Sequence, residues 1–345
     1  MSDEFETRTT ASVDEVGESA WDALSAGRPF QSARWYRFGE RVMADCQPVY
    51  IILSLDKQAV ARGTFWLVRT EPLPVSSLVR SLLAPALRRR PLLICRSPLS
   101  NSSGLIVPEA PWRERAIQRI AEAARVEASR RHCSYLMFDY LYEAETKMSW
   151  PPDYARLTVS DPGTALTVKW AGFEQYLESG GKKDRQHYKR SLRAAEQAGI
   201  RVERSQRVSE IEAALQLIAG VEKEHKSATN PWIRNMLENL PLIGGTFVKA
   251  SIADRLVGCG VLCYDGGTQL ALALGHARDV PNVYFQLIYA GLQEAFEKQV
   301  RRLRWGSGAY AVKRRLGFEL ENNNHVVFMG NGKITTLFGR LVVRC

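Results

Sequence analysis

The chain has 345 residues, 45% of them apolar, and a formal net charge of +10. That length suits two domains of about 100–200 residues each, and no apolar run approaches the roughly 20 residues of a bilayer-spanning helix, which excludes integral membrane insertion. The surplus of lysine and arginine calls for an acidic or phosphate-bearing partner.

Residues 1–12 are polar and read as a flexible start. The opening Met1-Ser2-Asp3-Glu4-Phe5-Glu6 lacks the basic start and apolar middle of a secretory signal, so a cytoplasmic protein is expected. Val13 to Ala44 predicts two short helices around Pro29-Phe30-Gln31-Ser32, with Trp21, Trp35 and Phe38 as core candidates. Pro48 to Leu55 and Ala61 to Arg69 predict a hairpin turning at Asp56-Lys57. Pro72 to Pro91 joins an apolar stripe (Leu78, Val79, Leu82, Leu83, Leu87) to Arg80, Arg88, Arg89 and Arg90. Such a segment can lie on a membrane surface; its prolines favour an amphipathic connection packed on its own domain instead. Leu92 to Cys95 and Gly104 to Val107 predict short strands, and Ser134 to Tyr140 a buried one. Between them Trp112 to Arg131 is a helix with Ile117, Ile120, Ala121, Ala124 and Ala128 on one side. This first module ends near Tyr142, and the Pro-rich crossing Trp150-Pro151-Pro152-Asp153 follows it.

The second module opens with a strand over Thr164 to Val168 and a helix over Phe173 to Leu177. A basic helix from Lys182 to Ala198 follows Ser179-Gly180-Gly181 and stops at Gly199. Next come a strand (Ile200 to Arg204), a helix (Val208 to His225) and strands over Thr246 to Ser251, Leu256 to Tyr264 and Thr268 to Leu274. A helix over Asn282 to Val300 leads to a short strand at Leu303 to Trp305, and closing strands fall at His325 to Met329 and Thr335 to Val343. Both modules run helices, then a meander, then helix and strand, an α/β (α+β) pattern that hints at tandem copies of one fold.

The six cysteines form no C-x-x-C pair and read as buried reduced thiols; the five histidines show no H-x-x-x-H spacing, so no metal site is expected. Four segments carry candidate chemistry. Lys182, Arg185, Lys189 and Arg193 share one face of the basic helix, whose first-turn amides follow two glycines, a pattern suited to phosphate. Gly275-His276 ends a strand and Asn282 opens a helix, a place where unpaired amides meet a pyrophosphate or a carbonyl; an ordinary β-α connection with Asn282 as N-cap fits equally. Glu224 and His225, at a helix end, can take a proton from an amine or simply be surface charge. Finally, Gly306-Ser307-Gly308-Ala309-Tyr310-Ala311-Val312-Lys313 combines close backbone approach, a hydroxyl and a fixed charge, parts that suit an oxyanion or a phosphate-bearing donor. Its alternative is a solvated basic turn capped by Phe318.

Asn282-Val283-Tyr284-Phe285-Gln286-Leu287-Ile288-Tyr289 and the Gly306 to Phe318 stretch resemble the C-terminal half of GNAT-like acyltransferases of the FemAB and BioF2-like group. Gly180 to Gly199 resembles the basic helix that opens that group's second domain, and Pro29-Phe30-Gln31-Ser32-Ala33-Arg34-Trp35 its N-terminal P-F-x-S-x-x-W. The resemblance implies tandem GNAT-like domains, each a mixed, mostly antiparallel sheet flanked by helices, over 13–155 and 156–345, with a cleft between them and the donor site in the second. It implies direct N-acyl transfer to a small-molecule or peptide amine, with acyl-CoA, a carrier-protein thioester or aminoacyl-tRNA as co-substrate and no tightly bound cofactor. The late-loop lysine that contacts the donor in the aminoacyl-transferring branch matches Lys313, with Tyr310 beside it as proton donor to the leaving group and Gly306 and Gly308 lining the loop. The branch's basic residue after the N-terminal motif falls at Gly39, between Arg37 and Arg41, so a nucleotide-linked peptidoglycan acceptor does not follow. Its helical-hairpin arm and the Q/R-x-x-G-x-G/A pyrophosphate signature of simple GNAT enzymes are also missing. The rivals are a tRNA-dependent aminoacyltransferase and a non-catalytic module that binds RNA, lipid or protein.

Overall fold

The structure, a computed structural model, describes residues 5–71, 77–225, 227 and 229–330, without the side chains of 77–80, 82 and 83. Two compact units divide after Pro162 and again after Leu320. In chain order the first unit holds β1 (Glu6–Thr10), α1 (Glu18–Ser25), α2 (Ala33–Val42), β2 (Gln47–Leu55) and β3 (Gln58–Val68). It continues with α3 (Ser77–Arg89), β4 (Leu92–Cys95), β5 (Leu105–Ile106), α4 (Arg113–Arg130), β6 (Tyr135–Leu141), α5 (Glu143–Thr146) and β7 (Ala155–Thr158). The second unit holds β8 (Thr164–Thr167), α6 (Phe173–Ser179), α7 (Lys182–Gln197), β9 (Ile200–Ser205), α8 (Ile211–Glu224), α9 (Ile233–Asn239) and β10 (Thr246–Ile252). Then come β11 (Arg255–Asp265), β12 (Thr268–His276), α10 (Val283–Glu297), β13 (Arg302–Arg304), α11 (Tyr310–Arg315) and β14 (Glu319–Leu320), and β15 (His325–Gly330) closes the described chain.

The first sheet runs β1-β2-β3-β4-β6-β15-β7, with β5 beside β3. The hairpin turns at Asp56 and Lys57, both at positive φ, as the twist of the flanking strands requires. Helix α4 covers the sheet with Ile117, Ile120, Ala121 and Ala124, each at most 1% exposed. Its spacing of apolar residues places them on one stripe, and the stripe is the one buried. The P-F-x-S-x-x-W segment serves this core: Ser32 Oγ caps α2 by accepting from the Trp35 amide, and the Trp35 indole donates to the Pro98 carbonyl.

Two expectations change here. Residues 6–10 form an edge strand paired with β2 from Glu6↔Ser54 to Thr10↔Tyr50, so the described part of the polar start is held by a backbone ladder. The second domain does not run unbroken from residue 156: β7 and β15 belong to the first sheet, where β15 pairs with both β6 and β7. Val326 to Met329 supply the reason, since all four are buried there. The strand expected at Thr335 to Val343 lies outside the described residues. The described part of the expected amphipathic connection holds the helix α3, with Pro85 inside it.

The second sheet runs β14-β8-β13-β12-β11-β10-β9. Adjacent residues of β11 face opposite sides. A Cβ on Gly258 would lie 2.3 Å from Val283 of α10, whereas the Cys259 thiol points to Ala214 of α8. The two helices therefore cover opposite faces, and α7 joins α10 through bonds from the Gln286 carboxamide to Ser191. In each unit one helix crosses between parallel neighbours, β4-α4-β6 and β12-α10-β13, within an otherwise antiparallel sheet.

Candidate functional site

Strands β12 and β13 pair in parallel only from Thr268↔Arg302 to Leu270↔Arg304. Strand β12 then continues alone on that side to His276, and β13 gives way to the glycine loop. A bulge at Leu272, which falls between the pairs Val261↔Ala273 and Leu262↔Ala271, adds twist where the strands part. Ala271 to Leu274 are only half-buried there. The opening has the free backbone edge of β12 on one side, the first turn of α10 beyond its carboxyl end, and the loop 306–309 beyond the end of β13. Ligands of open α/β sheets bind outside the carboxyl ends of parallel strands.

The loop owes its shape to one buried cation. Gly306, Gly308 and Ala309 sit at φ +59°, +80° and +47°, and a Cβ on either glycine would meet nothing within 4 Å. Lys313, 6% exposed on α11, donates from Nζ to the carbonyls of Trp305, Gly306 and Ser307 at 2.5, 3.0 and 3.1 Å. Thr164 of β8 adds a hydroxyl bond to the Gly306 carbonyl. An ammonium has three hydrogens, and three carbonyls take them. Burial lowers the Lys313 pKa to about 8. In a trans peptide the N–H points opposite to its C=O, so the amides of Gly306, Ser307 and Gly308 are turned away from the ammonium. None of them has an acceptor among the described residues.

Behind the loop lies a second, buried support. The Trp305 indole donates to Gln269 Oε1 at 3.0 Å, and Gln269 Nε2 donates to the Gly291 carbonyl and to the Tyr264 hydroxyl. Gln269 is fully buried, and it ties β12, β13 and α10 together below the point of divergence. The sequence reading missed Thr164, Gln269 and Trp305. An amide one turn of strand before an apolar run carries no signal until the pairing is known.

The other expected residues distribute as follows. Tyr310 begins α11 and is half-buried beside the loop. Gly275 is not open to a ligand: a Cβ there would lie 2.5 Å from the backbone nitrogen of Ile218, so the glycine admits α8 against β12. His276, half-buried, sets its ring edge-on to Tyr284 at 5.9 Å between centroids. Asn282 takes the N-cap position of α10 in the left-handed conformation, without a side-chain capping bond. Glu224, exposed at the end of α8, pairs with Arg278 of the β12-α10 connection at 3.2 Å, and His225 caps the same helix end in solvent. Lys182, Lys189 and Arg193 are exposed on α7. Arg185 is not available in the same way, because its guanidinium donates to the carbonyls of Glu178 and Gly180 and so joins α7 to the end of α6.

His187 adds a feature that the sequence did not reveal. Its Nδ1 meets the Tyr289 hydroxyl at 2.9 Å, and its ring stands edge-on to Phe285 of the first turn of α10, 4.4 Å between centroids. Burial, then the nearby Arg315 charge, lower its pKa, and Arg315 at the end of α11 is itself bonded to Asp184. Burial raises the Tyr289 phenol to about 12.

Among the described residues no cluster of His, Cys, Asp and Glu fits a metal ion, and no helix is long and apolar enough to cross a membrane. All five described cysteines are buried and free.

Residues 182–314 match the model of an acetyltransferase (GNAT) domain. No curated protein matches the chain significantly. Among solved structures it is similar to FemX, with 12% identity over 93% of this chain and 96% of that one and a TM-score of 0.59. A tandem GNAT protein from the clavulanic acid biosynthesis pathway gives 13% identity, 96% and 99% coverage and a TM-score of 0.57. The L-PGS of Bacillus licheniformis gives 11% identity, 97% coverage of each chain and a TM-score of 0.52. At these identities the likeness is one of fold: the chain has the tandem GNAT architecture.

Proposed function

We propose that this chain is an N-acyltransferase that forms an amide by direct transfer of an acyl group from an activated donor to an amine. The observation that carries the reading is the parting of β12 from β13 inside the segment that matches the GNAT domain, with a clamped loop of free amides at its mouth. Catalysis in this reading is chiefly the holding of amine and acyl carbon together. The outward amides of Gly306, Ser307 and Gly308 supply donors for the tetrahedral oxyanion. Lys313 acts as a positioning residue, since its hydrogens are already engaged by the loop. Tyr310, half-buried beside the loop, supplies a hydroxyl for protonating the leaving group. No covalent intermediate is required: Cys259 and Cys263 are buried and burial raises their thiol pKa values, away from a reactive thiolate.

A thioester, acyl-CoA or carrier-bound, is the donor of this reading. The exposed cations of α7 favour aminoacyl-tRNA as the second one. Purified protein supplied with acetyl-CoA or octanoyl-CoA and a panel of amino acids and dipeptides is expected to give new amides by mass spectrometry, unaffected by RNase. Turnover seen only with charged tRNA and abolished by RNase selects the second donor. Ligand binding without amide formation from either donor class refutes the transferase reading and leaves a non-catalytic module.

A further inference from the structure

An amine must lose a proton before it can attack, and the group that takes it must itself be unprotonated at working pH. Four groups of the second unit bear on this. Glu224 is exposed and held by Arg278. His225 lies in solvent at the end of α8, on the sheet face opposite α10. Lys313 has every hydrogen engaged. His187 stands at the junction of α7, the first turn of α10 and the last residue of α11, the two helices that follow β12 and β13.

We propose that His187 is the proton acceptor for the attacking amine, its imidazole oriented by the Tyr289 hydroxyl. This rests on the N-acyltransferase reading above. The groups facing the ring are Tyr289 and Phe285 from α10, Arg315 from α11, and Asp184 and Arg190 from α7 itself. Two of these are cations, and the carboxylate of Asp184 is shared with Arg315 at 3.0 Å. Together with burial they favour the neutral ring. In the tautomer this role requires, Nδ1–H donates to the Tyr289 oxygen and Nε2 carries the lone pair. Nε2 has no partner among the described residues. The substrate ammonium gives one proton to Nε2. Its nitrogen lone pair then forms the C–N bond, giving the tetrahedral oxyanion, whose collapse breaks the C–S bond of the thioester. The departing thiolate takes a proton from Tyr310, which recovers the second proton of the amine as the amide forms, and the imidazolium releases its own to solvent.

The test combines kinetics with spectroscopy on the full chain. With the donors and amines named above, His187→Gln is expected to lower kcat/KM at least about 100-fold and to abolish the acidic limb of its pH profile. His276→Gln, made in parallel, keeps that limb. Tyr289→Phe is expected to lower kcat more than it raises KM and to displace the limb. The 13C–1H signal of the His187 ring is expected to titrate below the ordinary histidine value, and Arg315→Gln to move that midpoint upward. This readout needs no turnover, and circular dichroism of each variant reports folding. A folded His187→Gln with the wild-type pH profile overturns the inference while leaving the transferase reading intact, as does a limb that follows His276. Absence of amide formation by the wild-type protein overturns both.

Discussion

Replacing Lys313 with methionine tests the loop clamp directly. The change keeps most of the side-chain volume and removes three donors from the carbonyls of Trp305, Gly306 and Ser307. Bonds from a charged donor contribute about 1.5–3 kcal/mol each. Against that loss stands the relief of a buried charge. The pKa falls from 10.5 to about 8 through burial, and each unit corresponds to about 1.4 kcal/mol, so roughly 3 kcal/mol returns. Ser307 is exposed and Gly306 half-exposed, so two of the three carbonyls can turn to water. The net global loss should therefore be only about 1–2 kcal/mol, a drop of a few degrees in Tm. The local effect should be far larger, because only the Thr164 hydroxyl, on the Gly306 carbonyl, would remain to hold the loop carbonyls inward. Acyl transfer should fall at least about 100-fold, the scale of losing oriented oxyanion donors, and the α11 amides should exchange faster. Urea unfolding, turnover and hydrogen exchange on the same variant separate these effects. Turnover within twofold of wild type, with unchanged exchange, would refute the clamp. A loss of 4 kcal/mol or more would show that burial of the charge costs less than its pKa implies.

Three further outcomes follow from the packing and the charges. Gln269→Leu strands the Trp305 indole N–H in the core and removes the side-chain bond to the Gly291 carbonyl, which keeps its place in the α10 ladder; urea midpoints should show a loss of about 2–3 kcal/mol. Gly275→Ala puts a methyl 2.5 Å from the Ile218 nitrogen and 2.6 Å from the Leu217 carbonyl carbon, both backbone; overpacking of about 1–3 kcal/mol should appear as a lowered Tm. Asp139 is raised by burial to about 6, against the attraction of Arg96. A carboxyl whose folded pKa lies above its unfolded value adds stability that is present below the unfolded value and lost as pH rises through the folded one. The wild-type protein should therefore lose this contribution between about pH 4 and 6, and Asp139→Asn should flatten that part of the stability profile.

Most of the local structure was legible because it rests on short-range rules. The hairpin at Asp56-Lys57, the α4 stripe and the three strands before α10 each follow from periodicity and turn chemistry. What escaped depends on pairing at long range. Residues 6–10 look polar because an edge strand can expose side chains while its backbone is satisfied. Strand β15 reads like a local closing strand, yet its partners are β6, nearly two hundred residues back, and β7. No window along the chain contains that choice.

The site shows the same limit in a sharper form. The sequence singled out Lys313 for its charge and the glycines for their freedom. Both matter, but in a relation that only the fold supplies: positive φ at Gly306 and Gly308 lets the carbonyls converge on the ammonium, and the ammonium makes that convergence stable. A lysine satisfied by neutral carbonyls and lowered by burial is poorly placed to greet an incoming anion and well placed to hold the amides that can. Arg185 repeats the pattern on α7, where a residue chosen for phosphate instead joins two helices. The residues with ring atoms left open, His187 above all, drew no attention as a motif because their chemistry arises from neighbours on three separate helices. The proposed roles thus follow from counting donors and acceptors: the loop amides meet the oxyanion expected at Lys313, and His187 takes the proton expected at Glu224 or His225. They stand or fall on whether the ammonium's three hydrogens remain with the loop while the substrate reacts.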